Sequence, residues 1–242
     1  MQTLNMLLSA VDYDNMYVIV TLSILPLMLL MFISGISVQL TFKKNAKKVS
    51  SSGLTGAEAA RKILDGAGLS STLIAPCAGS LTDHYDPRND TVYLSESVYN
   101  SNSVAAIGVA AHEVGHAIQH ATGYGPLKLR SALVPVVTFA NNTVQWVLLL
   151  GVLLINVFPS LLWIGIGLFA MTTLFSLVTL PVEINASRRA VAWLEGSGVV
   201  DAETKPYAAD ALKWAAYTYV IAALGSLATL FYYISIANSR RD

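Results

Sequence analysis

Three stretches of the chain contain no Asp, Glu, Lys or Arg: Asn15–Phe42 (28 residues), Ser131–Val182 (52 residues) and Trp214–Ser239 (26 residues). Crossing a hydrocarbon core about 30 Å thick takes roughly 20 apolar helical residues. The first and third stretches therefore fit one span each and the middle one fits two. The pattern predicts four transmembrane helices: 16–42, a hairpin of two within 133–182, and 214–238. Pro26 predicts a kink in the first helix, and Asn156 to Ser160, with Pro159, predicts the turn of the hairpin. Polar positions gather in what remains. Of the 30 charged residues, 16 lie between Lys43 and Arg130 and 9 between Glu183 and Lys213.

The first polar segment, 43–132, reads as a small α+β domain. Thr55 followed by Glu58 forms a capping-box pattern that starts a helix, and Gly66 and Gly68 end it. Short β-like runs follow at 72–75, 80–85 and 91–95, the last two joined by Asp86-Pro87-Arg88-Asn89-Asp90, a turn sequence. Ser103 then caps a helix of small residues that runs to about Ala121, before Gly123 and Gly125. The second polar segment, 183–213, continues the third span as a helix to about Glu195. It turns at Gly196-Ser197-Gly198 and re-enters a helix near Asp201.

Composition agrees with a membrane protein. Hydrophobic residues make up 54% of the 242 and charged residues only 12%, about half the charged share of ordinary soluble domains. A net charge of zero offers no basic face for nucleic acid, which is excluded as a partner. The single cysteine, Cys77, cannot form an intrachain disulfide, so the fold is compatible with a reducing compartment. Lys43, Lys44, Lys47 and Lys48 follow the first span and place the two polar segments in the cytoplasm under the positive-inside rule. Lys128, Arg130, Arg188 and Arg189 flank the hairpin and agree. The N-terminus, with Asp12 and Asp14, is then outside. Arg240 and Arg241 would also lie outside, against the rule. No uncharged window holds an ionisable residue to line a transport path, which argues against a transporter or channel.

The chemistry is concentrated in His112-Glu113-Val114-Gly115-His116. Two histidines four residues apart lie on one helical face, where both imidazoles can reach one zinc ion. Glu113 then projects where it can deprotonate a water activated by that ion. In a chain of this composition the pattern arises by chance with a probability of roughly 0.002. A pair of helical histidines without metal is the bland alternative.

A zinc site of this kind needs a third protein ligand. His120 continues the same helix by one turn, and the three-histidine arrangement has a longer gap and a glycine between its second and third histidines. His120 is therefore expected in a structural role. Glu183 ends the 52-residue uncharged stretch at the cytoplasmic edge of the third span, where a carboxylate is costly unless paired or metal-bound. It is the better candidate, the alternative being an interfacial Glu that is solvated or paired with Arg188 or Arg189. Asn185, Ser187 and Arg188 are nearby supporting candidates.

The zinc motif followed by a membrane hairpin and then Glu183 resembles the membrane gluzincin metallopeptidases of the HtpX and CAAX-protease type. Four segments sharpen the likeness: Leu81-Thr82-Asp83-His84-Tyr85-Asp86-Pro87, Ala111 to His120, Leu180 to Ser187, and Thr218-Tyr219-Val220. Together they are similar to the bacterial YugP-type neutral zinc metallopeptidases over nearly the whole chain. The resemblance implies a zincin-like cytoplasmic domain and one zinc per chain, with His112, His116 and Glu183 as ligands and Glu113 as general base. The broader HtpX pattern has an Asp four residues after the third ligand. Here Ser187 stands in that place, which leaves open how the ligand shell is oriented.

The expectation is a membrane-bound zinc endopeptidase in the bacterial plasma membrane. Its site would face the cytoplasm and cleave unfolded or membrane-proximal protein segments, with the strands near 80–95 offering an edge for backbone pairing. His84, Tyr217 and Tyr219 are candidates to stabilise the oxyanion. Two alternatives remain. An inactive relative could act as a membrane scaffold or chaperone, and an intramembrane site-2-type protease would draw an Asp from Leu64-Asp65-Gly66. That tripeptide precedes the zinc motif and lies beside Arg61 and Lys62, which weighs against it.

Overall fold

A computed structural model describes residues 13–238. In chain order the elements are α1 (Tyr13–Asn45), α2 (Gly56–Gly66), β1 (Leu73–Cys77), β2 (His84–Asp86), β3 (Thr91–Ser95), α3 (Glu96–Tyr99), α4 (Val104–Ala121), α5 (Gly125–Leu153), α6 (Ser160–Gly196) and α7 (Lys205–Asn238). Of the residues that bear on the sidedness of the termini, Asp12, Arg240 and Arg241 lie outside the described residues.

The chain divides into two compact units. Among the described residues, the first comprises 13–33, Arg130–Val178 and 220–238. Its small buried cluster is Leu148, Leu162, Ile166 and Ala237. Gly151 lets α5 approach α6, because a Cβ there would come within 2.7 Å of the Leu162 Cα. Much of the remaining apolar surface points outward, with Phe139 64% exposed and Trp146 62% exposed. Soluble proteins do not tolerate such faces over a wide area without a partner, and α5, α6 and α7 are each long and apolar enough to cross a bilayer.

The second unit is formed by Ser34–Leu129 and Thr179–Tyr219. Its helix α2 starts where the capping box sets it, with Glu58 N–H donating to Thr55 Oγ1 at 3.2 Å and Thr55 N–H donating to Glu58 Oε2 at 2.8 Å. One face of α2, Ala59, Ala60, Ile63 and Leu64, is buried in the core with Leu94, Ile107 and Val114. Burying each Leu or Ile side chain contributes about 1.5–3 kcal/mol. Helix α4 begins at Ser103, whose Oγ accepts from Ala106 N–H at 3.2 Å.

The sheet is mixed, in the order β1-β3-β2, with β1 parallel and β2 antiparallel to β3. The run expected to extend over 80–85 is strand only from His84, because Gly79 (φ 101°) and Leu81 (φ 59°) turn the chain just before it. Helix α6 passes without a break from apolar residues to the polar stretch bearing Glu183 and ends at Gly196, as expected. One further difference is that α7 joins the expected cytoplasmic helix and last span into one element. The turn before α7 is held by Asp201 Oδ1, which accepts from Thr204 N–H at 2.8 Å.

Candidate metal centre

Helix α4 carries His112, Glu113 and His116, and α6 carries Glu183; all four belong to the second unit. The two helices can come close because one residue inside the zinc motif has no side chain. A Cβ on Gly115 would sit 2.8 Å from the Ala186 carbonyl oxygen of α6. This close approach sets Glu183 against the histidines. Gly115→Ala is expected to push α6 away and weaken zinc binding about tenfold or more, the scale on which losing a partner that orients a ligand acts. Gly108→Ala is the matched control, because its Cβ would meet Ala208 at an ordinary 3.8–3.9 Å. Equal zinc affinity in the two variants would contradict this role for Gly115.

Glu183 Oε2 lies 3.2 Å from His112 Nε2 and 3.5 Å from His116 Nε2. One ligand atom from each of the three residues falls within 4.8 Å of the others. Ligands about 2.0–2.2 Å from a tetrahedral zinc are roughly 3.4 Å apart, so the two carboxylate–imidazole separations, which are direct contacts here, are also compatible with one shared ion. The donor set of two imidazoles and one carboxylate also suits zinc and leaves a fourth position for water or substrate. Among the described residues, no arginine lies within ion-pair distance of Glu183; Arg189 Nε instead donates to Asn185 Oδ1 at 2.8 Å.

Hydrogen bonds behind the histidines fix which nitrogen faces the centre. Gln119 is fully buried. Its Nε2 donates to the Val182 carbonyl at 2.9 Å and to Asn185 Oδ1 at 3.0 Å, which uses both amide hydrogens. Its Oε1 is therefore the atom that meets His116 Nδ1 at 3.0 Å. Nδ1 of His116 must carry a hydrogen, which leaves Nε2, on the side of Glu183, as the nitrogen that a metal would take in place of a proton. Ser187 Oγ lies 3.1 Å from His112 Nδ1, so a hydroxyl occupies the place where the broader family pattern has a carboxylate.

Such outer partners tune the basicity and aim of ligating imidazoles, and losing one typically costs about 10–100-fold in metal affinity. Gln119→Leu is expected to weaken zinc binding by about that factor while leaving α4 folded. Competition with a zinc chelator measures it, and an unchanged affinity would show that Gln119 only packs. Sequence reasoning missed Gln119. Its signal was a long amide three residues after His116, on the same helical face.

Glu113 is 8% exposed. Burial raises its pKa, an effect that His112 and His116 oppose and the charges of Glu183 and Asp83 reinforce. A carboxylate held above its ordinary range is a better proton acceptor. Burial pulls His116 down, but the Glu183 hydrogen bond and the Glu113 charge outweigh it and hold the imidazole above its usual value.

The other candidates separate. His120 is outside the ligand group. Tyr85 OH donates to Asp90 Oδ1 at 2.9 Å and meets His120 Nδ1 at 3.1 Å, which ties β2 to the end of α4. His84 donates through Nδ1 to the Thr82 carbonyl at 2.7 Å and stacks on Tyr93. Tyr217 sits against Trp214 and under Lys213. Only Tyr219 of the three oxyanion candidates lines a cavity with His112 and Glu113. Asp65 pairs with Arg61 at 2.9 Å on the exposed side of α2.

With this geometry in place, comparison with known proteins adds a family. The profile of the family described as "putative neutral zinc metallopeptidase" matches residues 20–238. The chain belongs to this family. Another protein like it, the "Putative membrane protease YugP" of Bacillus subtilis (strain 168), is 45% identical over 213 residues, covering 88% of this chain and 94% of that protein. No solved structure matches the chain. The match to the neutral zinc metallopeptidase family spans both units, so it includes the apolar helices as well as the metal centre.

Proposed function

We propose that this protein is a membrane-bound zinc endopeptidase in which His112, His116 and Glu183 hold the metal and Glu113 is the general base. The observation that carries the proposal is the convergence of three ligand atoms from two helices, beside a buried carboxylate with a raised pKa. When bound, zinc supplies a Lewis acid that acidifies water and polarises the peptide carbonyl. Gln119 and Ser187 keep the imidazole Nε2 atoms turned inward. Glu113 takes the proton of the attacking water on its carboxylate and hands it to the leaving amine as the C–N bond breaks.

Helix α1, with lysines Lys43 and Lys44 in its last turn, adds a fourth span to α5, α6 and α7. Helix α6 has 37 residues, about 55 Å of helix, against a hydrocarbon core of about 30 Å. Its polar C-terminal part, from Glu183, then extends past the bilayer on the side of the lysines. This reading puts the site at the cytoplasmic surface of a bacterial plasma membrane, within reach of unfolded or membrane-proximal protein segments. The absence of Glu113, His112 and His116 from α5, α6 and α7 and the surface ion pair of Asp65 weigh against the site-2-type alternative.

The test is cleavage of an unfolded protein by the detergent-purified enzyme. Activity should vanish with a zinc chelator and return on adding zinc. Cleavage that survives full removal of metal would overturn the proposal.

A further inference from the structure

A cavity of about 260 Å³ opens beside His112 and Glu113. Away from those two residues most of its wall is apolar, with Val38 and Phe42 from α1, Leu81 from the bend before β2, Val109 from α4, and Leu212 and Ala215 from α7, and Asp83, Thr218 and Tyr219 are the polar residues that complete it. All of these belong to the second unit. The volume falls below the roughly 300–1,000 Å³ of pockets that enclose whole drug-sized ligands. It leaves room for one large side chain. The one acid in the wall besides Glu113 is Asp83, and its carboxylate is held by Ser95, whose N–H donates to Oδ1 at 2.7 Å and whose Oγ–H lies 3.1 Å from both oxygens. Asp83 is thus engaged in fixing the bend against β3.

We propose that this cavity is the specificity pocket of the enzyme, receiving an apolar side chain of the substrate next to the bond being cut. The inference rests on the peptidase reading and names its substrate class: segments that expose Leu, Ile, Met or Phe. Such residues are buried in folded proteins and become available in unfolded or membrane-derived ones. Because the pocket shares His112 and Glu113 with the metal centre, an apolar anchor in it would hold the neighbouring peptide carbonyl near those groups. The energy of filling it then helps to position the reacting bond.

The test uses amino-acid hydroxamates, which anchor on the metal and present one side chain beside it, titrated calorimetrically into the zinc-loaded, detergent-purified protein. Leucine hydroxamate should bind about tenfold or more tightly than alanine hydroxamate, the scale that extra methylenes are worth in an apolar pocket. Ala215→Phe and Val38→Trp, each checked for wild-type zinc content, should remove that advantage while leaving alanine hydroxamate within about twofold. The unmodified protein gives the first comparison even if neither variant folds.

Equal binding of the two hydroxamates, or a preference for lysine hydroxamate, would overturn the pocket. Cleavage of an unfolded protein, measured in parallel, separates the two claims. Selective binding without cleavage would sink the peptidase reading and keep the pocket, and cleavage without selectivity would do the reverse. A protein that takes up no zinc would remove both.

Discussion

Glu183→Ala is expected to abolish stoichiometric zinc binding. In the proposed centre the carboxylate is the one ligand from α6, and its Oε2 lies 3.2 and 3.5 Å from the two imidazoles. Without it, two histidines on one helix hold the metal alone. The loss should exceed the roughly 10–100-fold typical of outer-shell partners, and metal analysis after dialysis measures it directly. The variant should still fold, because alanine favours helix and the deletion leaves no acid buried against the histidines. Full zinc occupancy in this variant would remove Glu183 from the ligand set.

Glu113→Gln should behave in the opposite way, keeping zinc and losing turnover. The amide has nearly the same shape as the carboxylate but cannot accept the proton of the attacking water. General acid–base catalysis contributes about 10²–10⁴-fold, so kcat should fall by a factor in that range with one zinc per chain retained. KM should change little if Glu113 does not bind the peptide. Loss of zinc in this variant would instead make Glu113 part of the metal site, and unchanged turnover would take away its role as base.

The two variants sample two parts of the site that differed in how openly the sequence carried them. His112, Glu113 and His116 were legible because i and i+4 share a helical face whatever the rest of the chain does. Glu183 was legible for a different reason: a bilayer excludes charge, so the first acid after 52 uncharged residues stood out. The apolar helices were readable on the same ground. Capping at Thr55 and Ser103 was written in local sequence and appears as expected.

What was not legible depends on contacts between distant segments. The parallel pairing of β1 with β3 has no local signature, and β2 is short because of backbone bends at Gly79 and Leu81 rather than any break in its hydrophobic pattern. Gly115 looked like a spacer in the zinc motif; its importance comes from Ala186, 71 residues away. Gln119 looked like an ordinary helical residue until its amide was seen between His116, Val182 and Asn185. Ser187, where the broader family pattern has an acid, still faces His112 Nδ1. That substitution makes the partner of His112 neutral and so a weaker acceptor than a carboxylate.

The most direct test of the metal centre is zinc K-edge X-ray absorption on the purified wild-type protein. The account predicts a light-atom shell at about 2.0–2.2 Å with the scattering of two imidazoles and no sulfur. A third imidazole, which would bring in His120 or His84, or a sulfur from Cys77, would contradict the His112, His116 and Glu183 centre.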